Sequence, residues 1–126
     1  MHPNELLYSK DNIWCKKEPD GKVRLGMTYY YQEQLKKIVY IDLPKAGAAL
    51  KRGDVFASFE SSKTAADLFI PLSGTIIETN ALLLDKPGMI NQEPYDSGWI
   101  LLIKPSHPEE LDLLLSAKKY IDLILK

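Results

Sequence analysis

An all-β-dominated fold carrying short helices is predicted by three features of the chain's 126 residues. Short runs rich in β-branched and aromatic residues alternate with clusters of Pro, Gly, Asp and Asn, the pattern of strands broken by turns. Two strand-turn units, over 50–61 and 65–80, stand on either side of one lysine, Lys63, as an approximate mirror pair. Helical spacing is confined to brief stretches, including a C-terminal helical segment. The length supports one core and is short for two, so residues 1–126 are expected to form a single domain.

In chain order, "NIWCKK" at 12–17 reads as a strand, and "EPDG" at 18–21 supplies the Pro, Asp and Gly of a hairpin turn. "KVRLGMT" at 22–28 then alternates polar and apolar residues as the returning arm. Thr28 is placed to cap a short helix over 29–37, and Tyr31, Leu35 and Ile38 recur at helical spacing toward a core. "IVYIDL" at 38–43 has strand composition and is ended by Pro44. The paired units follow, each with its own turn, "KRGD" and "PLSG". From 81 to 98 the abundance of Pro, Gly, Asn and Asp predicts a long loop after an apolar anchor at 82–84. "WILLIKP" at 99–105 reads as a buried strand. Ser106 and Glu109 have capping-box spacing, opening a helix with Leu111, Leu114 and Leu115 on one face. A final helix over about 117–125 is expected against the side of a barrel.

Composition removes several classes of function. The 16 Lys and Arg are interleaved with 17 Asp and Glu, for a net charge of -1, so there is no basic footprint for nucleic acid. No apolar run has the length of a membrane span, and "MHPNELLYSK" has neither a signal core nor an Arg-rich transit pattern, so a cytoplasmic location is expected. Cys15 stands alone, which rules out an internal disulfide and predicts a small half-buried hydrophobe on a strand. His2 and His107 lack ligand spacing, are expected to face solvent, and give no zinc site.

Lys63 is the candidate functional residue. A hairpin tip holds a primary amine away from the core on a rigid support, and Ser61, Ser62, Thr64, Ala65 and Ala66 leave room for an enzyme to close over it. Spacing alone equally allows a lysine that serves only solubility. Use of the amine as a nucleophile would need a desolvated site with a neighbouring acid or base, which a polar turn does not offer.

At these residues the chain resembles the glycine cleavage system H proteins and, more broadly, lipoyl domains. The family motif "ESxKxxxDxxxPxSGxxxExN" is met by "ESSKTAADLFIPLSGTIIETN" at 60–80. The resemblance continues through "GDVF" at 53–56, "VYIDLP" at 39–44, "KPGMINQEPYDSGW" at 86–99 and "LLSAKKY" at 114–120. It implies a barrel-sandwich hybrid of the lipoyl-domain kind, a single lipoyl-carrier domain over 1–126, and lipoic acid joined covalently to Lys63 by a lipoate ligase or a lipoyl or octanoyl transferase. By position, Glu60 and Gly74 match residues used in ligase recognition, and Asp67 matches an acid near the groove where the arm docks. Two of these have equally good structural readings: Gly74 as a turn residue needing positive φ, and Asp67 as a solvated strand charge. The implied protein is no enzyme. It carries an aminomethyl group and reducing equivalents between glycine decarboxylase, a pyridoxal-phosphate enzyme, the folate-dependent aminomethyltransferase and dihydrolipoamide dehydrogenase. A biotin carrier would flank its lysine with methionines, where this chain has Ser62 and Thr64.

The pattern departs from the family near the N-terminus. Ile13 stands where an acid is usual, and Tyr29, Tyr30, Tyr31 and Gln34 replace a segment with an acidic residue, a small residue and often a histidine. An isoleucine offers no charge to a cationic arm but suits an apolar groove, and three tyrosines suit an exposed partner patch that shrinks if one turns inward. Two readings follow: drift, or an H-like carrier serving sulfur oxidation with a heterodisulfide-reductase-like complex or a lipoyl relay.

Overall fold

The computed structural model describes residues 1–125, and every structural statement below concerns these. Its elements are β1 (Leu7–Tyr8), β2 (Ile13–Lys17), β3 (Val23–Met27), α1 (Tyr29–Leu35), β4 (Ile38–Asp42), β5 (Ala49–Leu50) and β6 (Val55–Ser61), then β7 (Ala65–Phe69), β8 (Gly74–Thr79), α2 (Leu82–Asp85), α3 (Met89–Gln92) and β9 (Leu101–Pro105), followed by a 3-10 helix (Pro108–Leu113) and α4 (Ala117–Ile124). The strands make a six-stranded sheet in the order β1-β2-β3-β9-β8-β5 and a three-stranded sheet in the order β4-β6-β7, with every pairing antiparallel. Leu25 and Ile103 from the larger sheet meet Ile41, Phe59 and Leu68 from the smaller in one core. The architecture is the predicted β-dominated sandwich with short helices, and its sheets stay open rather than closing into a barrel.

The first hairpin forms where the sequence calls for it. Gly21 takes φ 87° in the "EPDG" turn, a conformation that costs glycine little, and Glu18 N–H donates to Lys22 O at 2.8 Å across the neck. Thr28 caps α1 by accepting the Tyr31 N–H at 3.2 Å. The same hydroxyl lies 2.8 Å from Tyr120 Oη, whose own proton goes to Asn12 Oδ1 at 2.7 Å, so Thr28 is the donor to Tyr120. This buried chain of hydroxyls ties α4 to the start of α1.

The mirror pair is held together where its turns meet. Gly53 N–H donates to Ile70 O and Ile70 N–H to Asp54 O, both at 2.8 Å, so each turn satisfies the other's backbone. Gly53 has φ 96°, within reach of glycine and few others.

Five expectations need correction. The segment 81–98 is no long loop: it folds into α2 and α3, braced by Asn80 Nδ2, which donates to Ser97 O and Trp99 O at 2.8 Å each. Ser106 and Glu109 form no capping box, because Ser106 Oγ pairs with His107 Nδ1 at 2.9 Å and Pro108 opens a 3-10 turn instead. Leu115 leaves the helical face to bridge Tyr8, with N···O distances of 2.7 and 2.8 Å. Cys15 is fully buried, and burial pushes its thiol far up in pKa. His2 sits half-buried among the rings of Tyr8, Tyr29 and Tyr120 with Nε2 unpartnered, and burial, then the N-terminal charge, lower its pKa. His107 is exposed as expected.

The C-terminal helix α4 packs not on the main core but on a satellite cluster of Leu6, Tyr8, Trp14, Ala117 and Tyr120. Tyr8 and Tyr120 stack with centroids 5.0 Å apart, and Trp14 Nε1 donates to Pro94 O at 2.8 Å. No helix is long and apolar enough to cross a membrane.

Candidate functional site

Lys63 stands at the tip of the hairpin joining β6 to β7. Glu60 pairs with Ala65, leaving residues 61–64 as the turn, closed by Ser61 N–H donating to Thr64 O at 2.7 Å. Ser61 Oγ accepts from Lys63 N–H at 3.1 Å and Thr64 N–H at 3.0 Å, so one hydroxyl clamps the backbone on both sides of the lysine side chain. Ser62 N–H reaches out of the hairpin to Lys37 O at 2.8 Å. Beneath the tip, buried Phe59 meets Tyr31 edge-on at 6.0 Å. The result is a fixed backbone carrying a free amine: Lys63 is exposed, with Ser62, Thr64 and Ala65 exposed around it, and no carboxylate pairs with it among the described residues.

The outer face of the small sheet continues the site. Strand register sets Tyr40, Glu60 and Ala65 in one row and Asp42, Ser58 and Asp67 in the next. Glu60 and Asp67 are both exposed, and they edge a shallow depression of about 330 Å3 with Tyr40, Ser58 and Ala65. A free amine beside small side chains and an open depression fits an acyl group joined to Lys63.

Gly74 lies elsewhere. It begins β8 in the larger sheet, at the end of β7 opposite the lysine, and is buried. Its φ is not positive, so the turn explanation fails; a Cβ there would strike the Lys104 carbonyl oxygen and press on Ile103 Cγ1 at 3.0 Å. Glycine is required by the close approach of β9.

The departures from the family pattern also resolve structurally. Ile13 pairs with Met27 and is wholly buried in the main core, so it lines no groove. Of the three tyrosines, Tyr31 turns toward Phe59 and the core, while Tyr29 and Tyr30 are half-buried; no broad aromatic patch forms.

Sequence reasoning placed the lysine and missed its supports. The Ser61 clamp was visible in principle, as a serine two residues before the lysine with the spacing of a hydroxyl turn. Tyr40 was not: a register shift between Ile38 and Tyr40 turns both Val39 and Tyr40 outward, and alternation does not anticipate a bulge.

Similarity to known proteins bears on this geometry. The glycine cleavage H-protein family model matches residues 6–126. The glycine cleavage system H protein of Oceanobacillus iheyensis is 46% identical over 118 residues, covering 94% of this chain and 93% of that protein. Its counterpart from Escherichia coli O7:K1 is 46% identical over 122 residues, covering 97% and 95%. The crystal structure of a glycine cleavage system H protein from Mycobacterium marinum superposes with a TM-score of 0.89 at 33% identity, covering 98% of this chain and 99% of that one. The chain belongs to the glycine cleavage H-protein family.

Proposed function

We propose that this chain is a lipoyl carrier of the glycine cleavage system, acting as one carrier domain over residues 1–126 with Lys63 as the attachment point. The observation that carries the reading is the clamped hairpin, which presents an unpaired amine at a fixed, exposed position within the family motif. Lys63 Nζ, as the free amine, attacks an activated carboxyl carbon; an amide forms, the activating group leaves, and the nitrogen gives up a proton. The lipoyl group supplies a dithiolane whose disulfide accepts two electrons or a carbon fragment.

The chain's own residues position rather than react. Ser61 and Lys37 O hold the turn, and the small side chains beside Lys63 leave it open to an enzyme's active site. Glu60, one strand row from the tip, is the recognition feature for the lipoate ligase or lipoyl or octanoyl transferase, whereas buried Gly74, at the far end, has its reason in the close approach of β9. Asp67 faces the depression along which the arm docks. The partners of the loaded carrier are glycine decarboxylase, aminomethyltransferase and dihydrolipoamide dehydrogenase, each meeting a tethered group at high local concentration. The cytoplasm is its compartment.

The test is coexpression with a lipoate ligase and lipoate, read by intact-mass spectrometry. The expected result is one lipoyl increment, absent in Lys63→Ala and in Lys63→Arg. The loaded protein then takes isotope label from glycine in the presence of glycine decarboxylase. A biotin increment instead, or an unmodified Lys63 in the parent, overturns the reading; a lipoyl increment without label transfer removes the pathway.

A further inference from the structure

Apart from its two strand ladders, the lysine turn is tied to the molecule by Ser62 N–H donating to Lys37 O at 2.8 Å. The position of that carbonyl is unusual in origin. Lys36, at the C-terminal cap of α1, has φ 66° and ψ -149°, a region that essentially only glycine occupies. A lysine stays there only if its surroundings over-determine the bend.

Asn91 of α3 provides those surroundings. Its Nδ2 donates to Lys36 O at 2.6 Å and its Oδ1 accepts the Ile38 N–H at 2.8 Å. One planar amide therefore grips the backbone on both sides of Lys37, leaving the Lys37 carbonyl for Ser62. The remaining Nδ2 hydrogen goes to Gln32 Oε1 at 3.0 Å, and buried Gln32 is itself fixed by donating to Tyr29 O at 2.9 Å. Both donors and the acceptor of Asn91 are used, so its orientation is determined by the network. The separation along the chain, 53 residues to Ile38 and 28 to Lys63, hides this connection from any local motif.

We propose that Asn91 is a positioning residue for Lys63: by holding the Lys36–Ile38 link in its glycine-like bend, it sets the carbonyl on which the lysine turn hangs. The purpose of that positioning rests on the lipoyl-carrier reading; the mechanical connection does not.

Asn91→Asp tests it. The substitution keeps the side-chain volume and the acceptor for Ile38 N–H, but turns an oxygen toward Lys36 O and Gln32 Oε1 in place of the donors. Two readouts are compared with the parent: amide hydrogen exchange of Ser62 against that of core residue Leu101, and kcat and KM for acylation of Lys63 by a lipoate ligase. The expected result is Ser62 exchange faster by about tenfold or more with Leu101 unchanged. KM for acylation is expected to rise about three- to tenfold with kcat within about twofold. Adding Lys36→Gly, which adopts the bend without strain, returns both readouts to within about twofold of the parent.

Ser62 exchange within about twofold of the parent in Asn91→Asp overturns the proposal, because the network is then not what holds the turn. Equal loosening of Leu101, or no recovery with Lys36→Gly, overturns it as well, since Asn91 would then support the fold at large. If the parent takes no lipoyl group at Lys63, the carrier reading falls, and Ser62 exchange alone decides the positioning claim.

Discussion

At one end of the β6–β7 pair, Ser62, Lys63 and Thr64 stand in solvent around a turn closed by hydrogen bonds. At the other end, Ile70, Pro71, Leu72 and Ser73 are buried, and the backbone of Ile70 exchanges two hydrogen bonds with the Gly53–Asp54 turn. The Glu110 carboxylate completes that end by accepting from Ser73 N–H at 2.7 Å and Ser73 Oγ at 3.0 Å. The same two strands thus carry burial at one tip and exposure at the other. The role proposed for Lys63 requires a side chain that is not packed, and what holds it is the hydrogen bonding of the turn backbone to Ser61 Oγ and Lys37 O; the opposite end is free to hold the sandwich together.

The largest expected effect tests the packed end. Ile70→Ala removes a side chain that is 1% exposed in the main core, and should destabilise by about 2–5 kcal/mol. Urea unfolding measures the loss, and the folded fraction should still be acylated at Lys63 as well as the parent. A parallel loss of acylation in fully folded protein would mean that the two ends are coupled.

A middle effect comes from Glu110→Ala, which strips Ser73 N–H and Oγ of their acceptor beside a buried turn. Loss of a charged acceptor from a part-buried donor pair should cost about 1–3 kcal/mol. The variant should unfold at lower urea concentration with an unchanged slope, and its Lys63 acylation should again match the parent. A cost near zero would show that water replaces the carboxylate and that this end is wetter than its burial suggests.

This division also explains which parts of the molecule were legible in the sequence. The hairpin of 61–64 announced itself because turn chemistry, strand composition and the family motif coincide within twenty-one residues, 60–80. The strand at 101–105 was equally plain, as an apolar run bounded by Pro105. The helices α2 and α3 were not, because four residues each are too few for a 3.6-residue period to show among Pro, Gly and Asn. Glu110 carried no signal of its own in the sequence, since its partner Ser73 lies 37 residues away, a contact no local pattern encodes. Ile13 looked like a change at the site and belongs to the core, since position along a strand does not reveal which face is covered until the register is known. Gly74 followed the same logic: its need is the backbone of Lys104 in the neighbouring strand, thirty residues later in the chain, rather than its own φ.

The smallest expected effect tests the exposed end. Ser61→Ala removes the hydroxyl that accepts from Lys63 N–H and Thr64 N–H, but both donors lie in solvent and water takes the oxygen's place. The cost to stability should therefore stay below about 1 kcal/mol. What should change is order: amide relaxation at Lys63 and Thr64 should show larger fast motions, while residues 65–69 of β7 keep theirs. Acylation efficiency should fall by less than about tenfold, the equivalent of 1.4 kcal/mol in barrier, since the amine remains present and accessible. A stability loss above about 2 kcal/mol would place the tip among the packed parts of the fold and erase the contrast between the two ends. Unchanged relaxation would instead move the clamp from Ser61 to the bond between Ser62 and Lys37 O, which survives the substitution.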